Sequence, residues 1–330
     1  MSPRLLRSTG ALALVVLACP APTPEWPDAW EQSLRVDRDV GAFLSVWGPS
    51  PQEVYAVGGN PTAGVIRRFD GEGWREEALP PGTPLLNWID GSSGAVWVVG
   101  NDGVALRQRP GGGWERHDTG VTAPLWGVWG AALDDIWAVG GEASDPEGVG
   151  VMVHWDGAAW AEVALPPLDR ASNALFKVWG TAPDHAFAVG RAGVILRYDG
   201  AAWVQVPSGT SRDLISLWGA GPDEIVAVGG RGNAVVARWD GAAWTSEVIG
   251  AAAGLNGVWV DDARRAWVCG VLGGTGVIAP GERSFEVESI TNLVLHGAFG
   301  FDGGPRFVVG GSLDSAPPWE GVVYLRGDVP

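Results

Sequence analysis

The chain has 330 residues, 46% of them apolar and 18% charged, which supplies a large core and excludes an intrinsically disordered chain. Its formal net charge is −16, with Lys177 the single lysine against 21 arginines, and without a basic stripe it is not built to follow a nucleic-acid backbone. The 51 glycines and 24 prolines fall between short apolar runs, where an all-β chain needs its turns.

Residues 1–18 read as an export signal. Arg4 and Arg7 precede an apolar run, Ala11 to Leu17, that is too short to cross a bilayer as a mature helix. The run closes on Val16-Leu17-Ala18-Cys19, which resembles the bacterial lipobox, where the cysteine is lipidated and becomes the first residue of the mature protein. The resemblance implies a chain tethered through Cys19 to the bacterial outer membrane or cell surface, each buried acyl methylene contributing about 0.8 kcal/mol. The alternative is an ordinary secretory cleavage after Ala18 that leaves a free thiol. Residues 19–27 form the lipidated end and a stiff, proline-rich spacer, and the folded domain is expected over 28–330. The other cysteine, Cys269, stands where the repeat described next has a valine, so a buried apolar role and no disulfide are expected.

From Phe43 onward the chain repeats one phrase seven times. A representative unit runs Leu175-Phe-Lys-Val-Trp179-Gly through Ala188-Val189-Gly190, then Gly193-Val-Ile-Leu-Arg-Tyr198-Asp199-Gly200-Ala-Ala-Trp203. Its first aromatic slot is assigned to Trp47, Ile89, Trp129, Trp179, Trp218, Trp259 and Phe299, with steps of 42, 40, 50, 39, 41 and 40 residues. Each unit holds four β-favouring runs: Leu175 to Trp179, Ala186 to Val189, Val194 to Tyr198 and Trp203 to Val206. A period near 40 with four short strands is the mark of a β-propeller. Asp-Gly pairs at 70–71, 156–157, 199–200 and 240–241 signal the tight turns between third and fourth strands.

Of the 20 tryptophans, all but Trp26, Trp88, Trp126 and Trp319 fall at fixed repeat positions, which assigns those to packing between blades. The four off-register residues are the tryptophans open to ligand stacking, with core or loop packing as the alternative. The seventh unit reaches only a third strand, Gly321 to Asp328. Its fourth is expected from Trp30 to Val36, whose pattern matches the run around Trp160, so that an N-terminal strand closes the ring. The fold expected is thus all-β: a seven-bladed propeller of four-stranded antiparallel blades.

The phrase Val-Trp-Gly…Ala-Val-Gly…Asp-Gly-x-x-Trp is similar to the Trp-rich, BNR/YVTN-like propeller repeats of bacterial envelope lipoproteins, over nearly the whole mature chain. That resemblance implies fold and address; activity varies widely among such propellers. The hairpin is also similar to the sialidase Asp-box, but it lacks the residue between Asp and Gly and the Ser or Thr two before the Asp. Tyr55, Tyr198 and Tyr324 all sit inside expected strands rather than where a tyrosine nucleophile would act.

Strand order fixes two faces. Turns between second and third strands and links between blades share one, here the top, where propeller ligands commonly sit. Long top loops are expected at 141–148 and 311–320. Arg170, Arg191, Arg212 and Arg231 fall in top loops of the blade four and five sector, with Lys177 on an inner strand nearby. Guanidinium groups suit carboxylate or phosphate ligands; solvated charge paired with Glu142 or Asp145 is the alternative. His296, on an inner strand, is expected to line the channel. The candidate ligand residues are therefore Arg170, Lys177, Arg191, Arg212, Arg231, Trp126, His296 and Trp319. The acidic bottom loops (Glu53, Asp134, Asp135, Asp184, Asp223, Glu224, Asp261, Asp262, Asp302) read as turn chemistry, and no run has the ligand spacing of a calcium loop. No catalytic motif, metal or cofactor is expected. The reading is a monomeric, envelope-anchored binding or scaffold module for a protein or glycan. The alternative is a glycosidase or lyase of acidic polysaccharide that uses the arginine sector and an acid pair.

Overall fold

In a computed structural model, residues 29–313 and 317–330 are described; Cys19 and Trp26, and with them the export signal and spacer, lie outside that range. The described chain forms seven four-stranded antiparallel sheets arranged as the blades of a ring. Blade four shows the plan: strands at Leu175–Ala182, His185–Gly190, Ile195–Tyr198 and Trp203–Val206 follow one another from the channel outward. The inner strands are buried on both sides, because each blade is covered by its two neighbours.

Blade seven is composite. Its inner three strands are Val294–Gly300, Arg306–Gly311 and Gly321–Arg326, and the outermost is Glu31–Val36, paired antiparallel with Gly321–Arg326. The ring is thus closed by the N-terminal strand, as the pattern around Trp30 implies.

Two aromatic columns hold blade to blade. In five blades the tryptophan that opens the outer strand packs on the second strand of the preceding blade. Trp114 meets Tyr55, Trp160 meets Trp97, Trp203 meets Trp137, Trp244 meets Phe187 and Trp74 meets Phe307, all near-perpendicular at 77–89°. Edge-to-face contact is the favoured geometry for such rings. Blade five offers Val226 in place of an aromatic at this position, and the outer strand of blade six shrinks to Glu288–Ser289. Arg283, in the tryptophan's place, is exposed and lies 3.7 Å from Glu247.

The second column surrounds the lower channel. In four blades the aromatic of the phrase lies on the glycine of the next: a Cβ added to Gly91 would sit 2.2 Å from Trp47, one at Gly180 2.8 Å from Trp129, one at Gly219 2.9 Å from Trp179 and one at Gly300 2.8 Å from Trp259. This explains why glycine follows the aromatic. It also corrects the sequence assignment in blade two. The pairing of Asp90 with Trp97 matches that of Trp129 with Trp137, so the slot belongs to Asp90, while Ile89 pairs with Val98 and is buried. The steps from Trp47 to Asp90 and on to Trp129 are then 43 and 39 residues. Ile89 takes the slot in a sequence alignment only because it is the apolar neighbour of a carboxylate that occupies a tryptophan's place.

The Asp-Gly turns work by side-chain capping. Asp199 Oδ1 accepts from the backbone N–H groups of Ala201 and Ala202, and Asp70, Asp156 and Asp240 repeat the arrangement. These bonds hold the four carboxyls below their usual range. The glycine that follows has φ near +90° in each, a backbone open to glycine at no steric cost. Cys269 is fully buried, and burial pushes its thiol pKa up.

Candidate functional site: the upper mouth of the channel

The inner strand of every blade carries a bulge near its upper end. In blade four Leu175 pairs with Gly190 and Lys177 with Val189, so Phe176 is the extra residue. The same irregularity singles out Leu44, Asn87, Trp126, Ile215, Asn256 and His296. A bulge re-aims a side chain out of the regular alternation. All seven bulge residues line one cup of about 390 Å³ at the upper mouth. Ala143 and Leu313 from the two long top loops, Val271, Val294 and Arg231 complete its wall, with Lys177 beside Phe176.

The residue after each bulge faces the channel below. This column reads Ser45, Trp88, Gly127, Lys177, Ser216, Gly257 and Gly297: small in five blades, large in two. The glycines let inner strands approach closely, since a Cβ on Gly127 would sit 2.8 Å from the Lys177 Cα. The room left is occupied by Trp88 and Lys177. The Lys177 Nζ lies 3.8 Å from the Trp88 ring centroid and donates to the Trp126 carbonyl at 2.8 Å. A cation over an indole face is attracted by the ring quadrupole, yet burial still lowers the Lys177 pKa to about 7. Across the cup, His296 Nε2 contacts the Gly311 carbonyl at 3.3 Å, and burial, with Lys177 adding repulsion, lowers its pKa to about 4.

The sequence candidates separate into two groups. Trp126, Lys177, Arg231 and His296 come together at the cup. Trp126 is fixed by its indole N–H to the Gly141 carbonyl, 2.9 Å. Arg231 lies over the Phe176 ring and pairs with Asp213 at 3.0 Å. Arg191 donates to the Ala143 carbonyl in the long loop of blade three. Arg170 lines a separate outer groove with Asp169 and Gln205. Arg212 is exposed beside Thr210, and the Trp319 backbone N–H donates to Arg38. The four arginines therefore do not converge on one point. Glu142 accepts from Ser144 and Asp145 from the Glu147 N–H, and among the described residues the arginine that carries an ion pair, Arg231, makes it with Asp213.

Leu44, Asn87, Phe176, Ile215 and Asn256 were not among the sequence candidates, whereas Trp88, one of the off-register tryptophans open to stacking, faces the channel below the cup against Lys177. The signal of the missed residues is variability: the residue after the leading Leu or Phe of each phrase differs from repeat to repeat inside an otherwise fixed frame. Among the described residues no Asp or Glu lines the cup, so the acid pair that a polysaccharide-cleaving enzyme needs is not assembled there. Nor do the described residues gather three or more metal-ligating side chains. Two further grooves, between blades five and six and between six and seven, lie at the rim where the outer strand of blade six is shortened.

No family profile matches the chain, and no curated protein does. Solved propellers do. A structure titled YCF48 bound to D1 peptide is similar at 14% identity and TM-score 0.63, over 91% of this chain and 96% of that one. YCF48 from Cyanidioschyzon merolae is similar at 15% and 0.65, over 91% and 98%. The WD40 propeller domain of Doa1 is similar at 10% and 0.67, over 90% and 97%. These likenesses establish the fold.

Proposed function

We propose that this chain is a non-catalytic binding propeller that holds a segment of a protein partner over the upper mouth of its channel. The observation that carries the reading is the cup itself. Seven blades each turn one bulged residue toward it, and Leu44, Trp126, Phe176, Ile215, Val271, Val294 and Leu313 make its wall largely apolar. An apolar wall with a few placed polar groups suits the mixed side chains of a peptide better than the hydroxyl-rich surface of a sugar. That a propeller of similar fold is titled as bound to a peptide supports the choice. We further propose that the domain is exported and tethered through Cys19, a reading that rests on the lipobox-like run at 16–19.

The test is a peptide-display selection on the intact protein, counter-selected against the Trp126→Ala/Phe176→Ala double variant. Enriched peptides are expected to bind the wild type and to lose at least about tenfold in the variant, as truncated interface aromatics do. Failure to enrich any peptide, with a thermal shift from glycans instead, would move the ligand class to sugars. For the tether, Cys19→Ser is expected to move the protein from the membrane fraction to the soluble one. An unchanged distribution would remove the lipid anchor.

A further inference from the structure

Resting on the reading that the upper mouth binds a protein segment, we propose that a carboxylate of that segment is seated against the Lys177 ammonium. Lys177 is the only lysine of the chain, placed at the cup in a protein of net charge −16. Three groups of basic type face the cup: Lys177, Arg231 and His296. Arg231 is already answered by Asp213. His296 is neutral, its pKa held near 4. Among the described residues Lys177 has no carboxylate partner, and below about pH 7 it keeps its charge. Its one hydrogen bond to the described residues runs to the Trp126 carbonyl, and an ammonium has three donors.

The side chain is large where its counterparts in five other blades are small, and with Trp88 it fills the space below the cup, which it also lines. A second observation points the same way. Asn87 is 3% exposed and lines the cup. Its side-chain N–H groups donate to Asn101 Oδ1 and the Leu125 carbonyl, while its own Oδ1 meets no donor among the described residues. Asn87 thus adds an unanswered polar side chain to the same cup wall as the Lys177 cation. Neutralising a buried lone cation with an anion also restores what desolvation took from it.

The probes are 4-phenylbutyrate and its amide, 4-phenylbutyramide, titrated into the intact protein by calorimetry. The carboxylate is expected to bind about tenfold or more tightly than the amide, the range of a charge-assisted bond. Lys177→Met should abolish that preference. Because Lys177→Met bears on packing as well, the pH dependence of the wild type is a second arm. Binding should weaken from pH 6.5 to 8.5 as the amine loses its proton, a window that lies above the His296 pKa. Ac-Leu-Glu-Leu-amide and Ac-Leu-Gln-Leu with a free C-terminus separate a side-chain carboxylate from a terminal one, and glucuronate tests the sugar class. Equal binding of acid and amide, or a flat pH profile, overturns the proposal. If selected peptides still depend on Trp126 and Phe176 in that case, the binding function stands without the anchor; if glucuronate alone binds, the protein ligand falls.

Discussion

Asp90 shows how much one residue of a repeat can diverge without losing the frame. It is 4% exposed, in a column otherwise made of five tryptophans and Phe299. Its carboxylate accepts from the Ser92 hydroxyl and N–H and from the Gly130 backbone, but burial outweighs these bonds and raises its pKa to about 6. A raised carboxyl binds its proton more tightly when folded, so stability falls as pH climbs from about 4 to about 6 and the cost is complete above that. Asp90→Asn keeps an acceptor for the same donors and carries no charge. The variant is expected to be more stable than wild type at pH 7–8, by on the order of 1–2 kcal/mol, with the difference closing toward pH 4. Urea melts at both pH values would show it, and a gap that does not change with pH would mean the carboxylate is not the cause.

At the scale of the strand, most of the architecture is legible in the sequence because each repeat states the same local rules. Asp-Gly turns, paired tryptophans and the glycine after the aromatic recur at fixed offsets, and the structure assigns each a contact. What could not be read is what breaks the pattern. Asp90 hides beside an apolar neighbour that fills the alignment slot. The outer strand of blade six dwindles because Arg283 stands in the tryptophan's place and Val226 opposite offers it no ring. The bulge residues were missed because one shifted register decides which side chain faces the channel, and pairing is a relation between strands. The arginines were overcounted as one sector for a related reason. Their loops share a face, yet only Arg231 reaches the cup, and its charge is spoken for by Asp213.

At the scale of the molecule, the ring depends on one non-covalent seam. Glu31–Val36 covers the outer edge of blade seven, Trp74 donates its indole N–H to Ser33 at 2.9 Å, and Arg35 bonds Glu320 at 2.9 Å. Removing residues 27–36 exposes the edge of Gly321–Arg326 and strips a contact from blade one. The truncated chain is expected to melt at lower temperature and to aggregate as unpaired strand edges do, and thermal unfolding with light scattering would check it. Melting unchanged from the intact protein would mean that blade seven stands on three strands alone.

The seam also sets an order in time. Arg35 and Glu320 are 285 positions apart, whereas the strands of the other six blades find partners within a few dozen residues. Local pairings form early, and contacts across long stretches of chain wait on the entropy of closing the loop between them. Here the intervening loop is the ring itself, and each blade that forms shortens the gap to be bridged. The strand made first is therefore the last to be paired, and its docking reports that every other blade is in place.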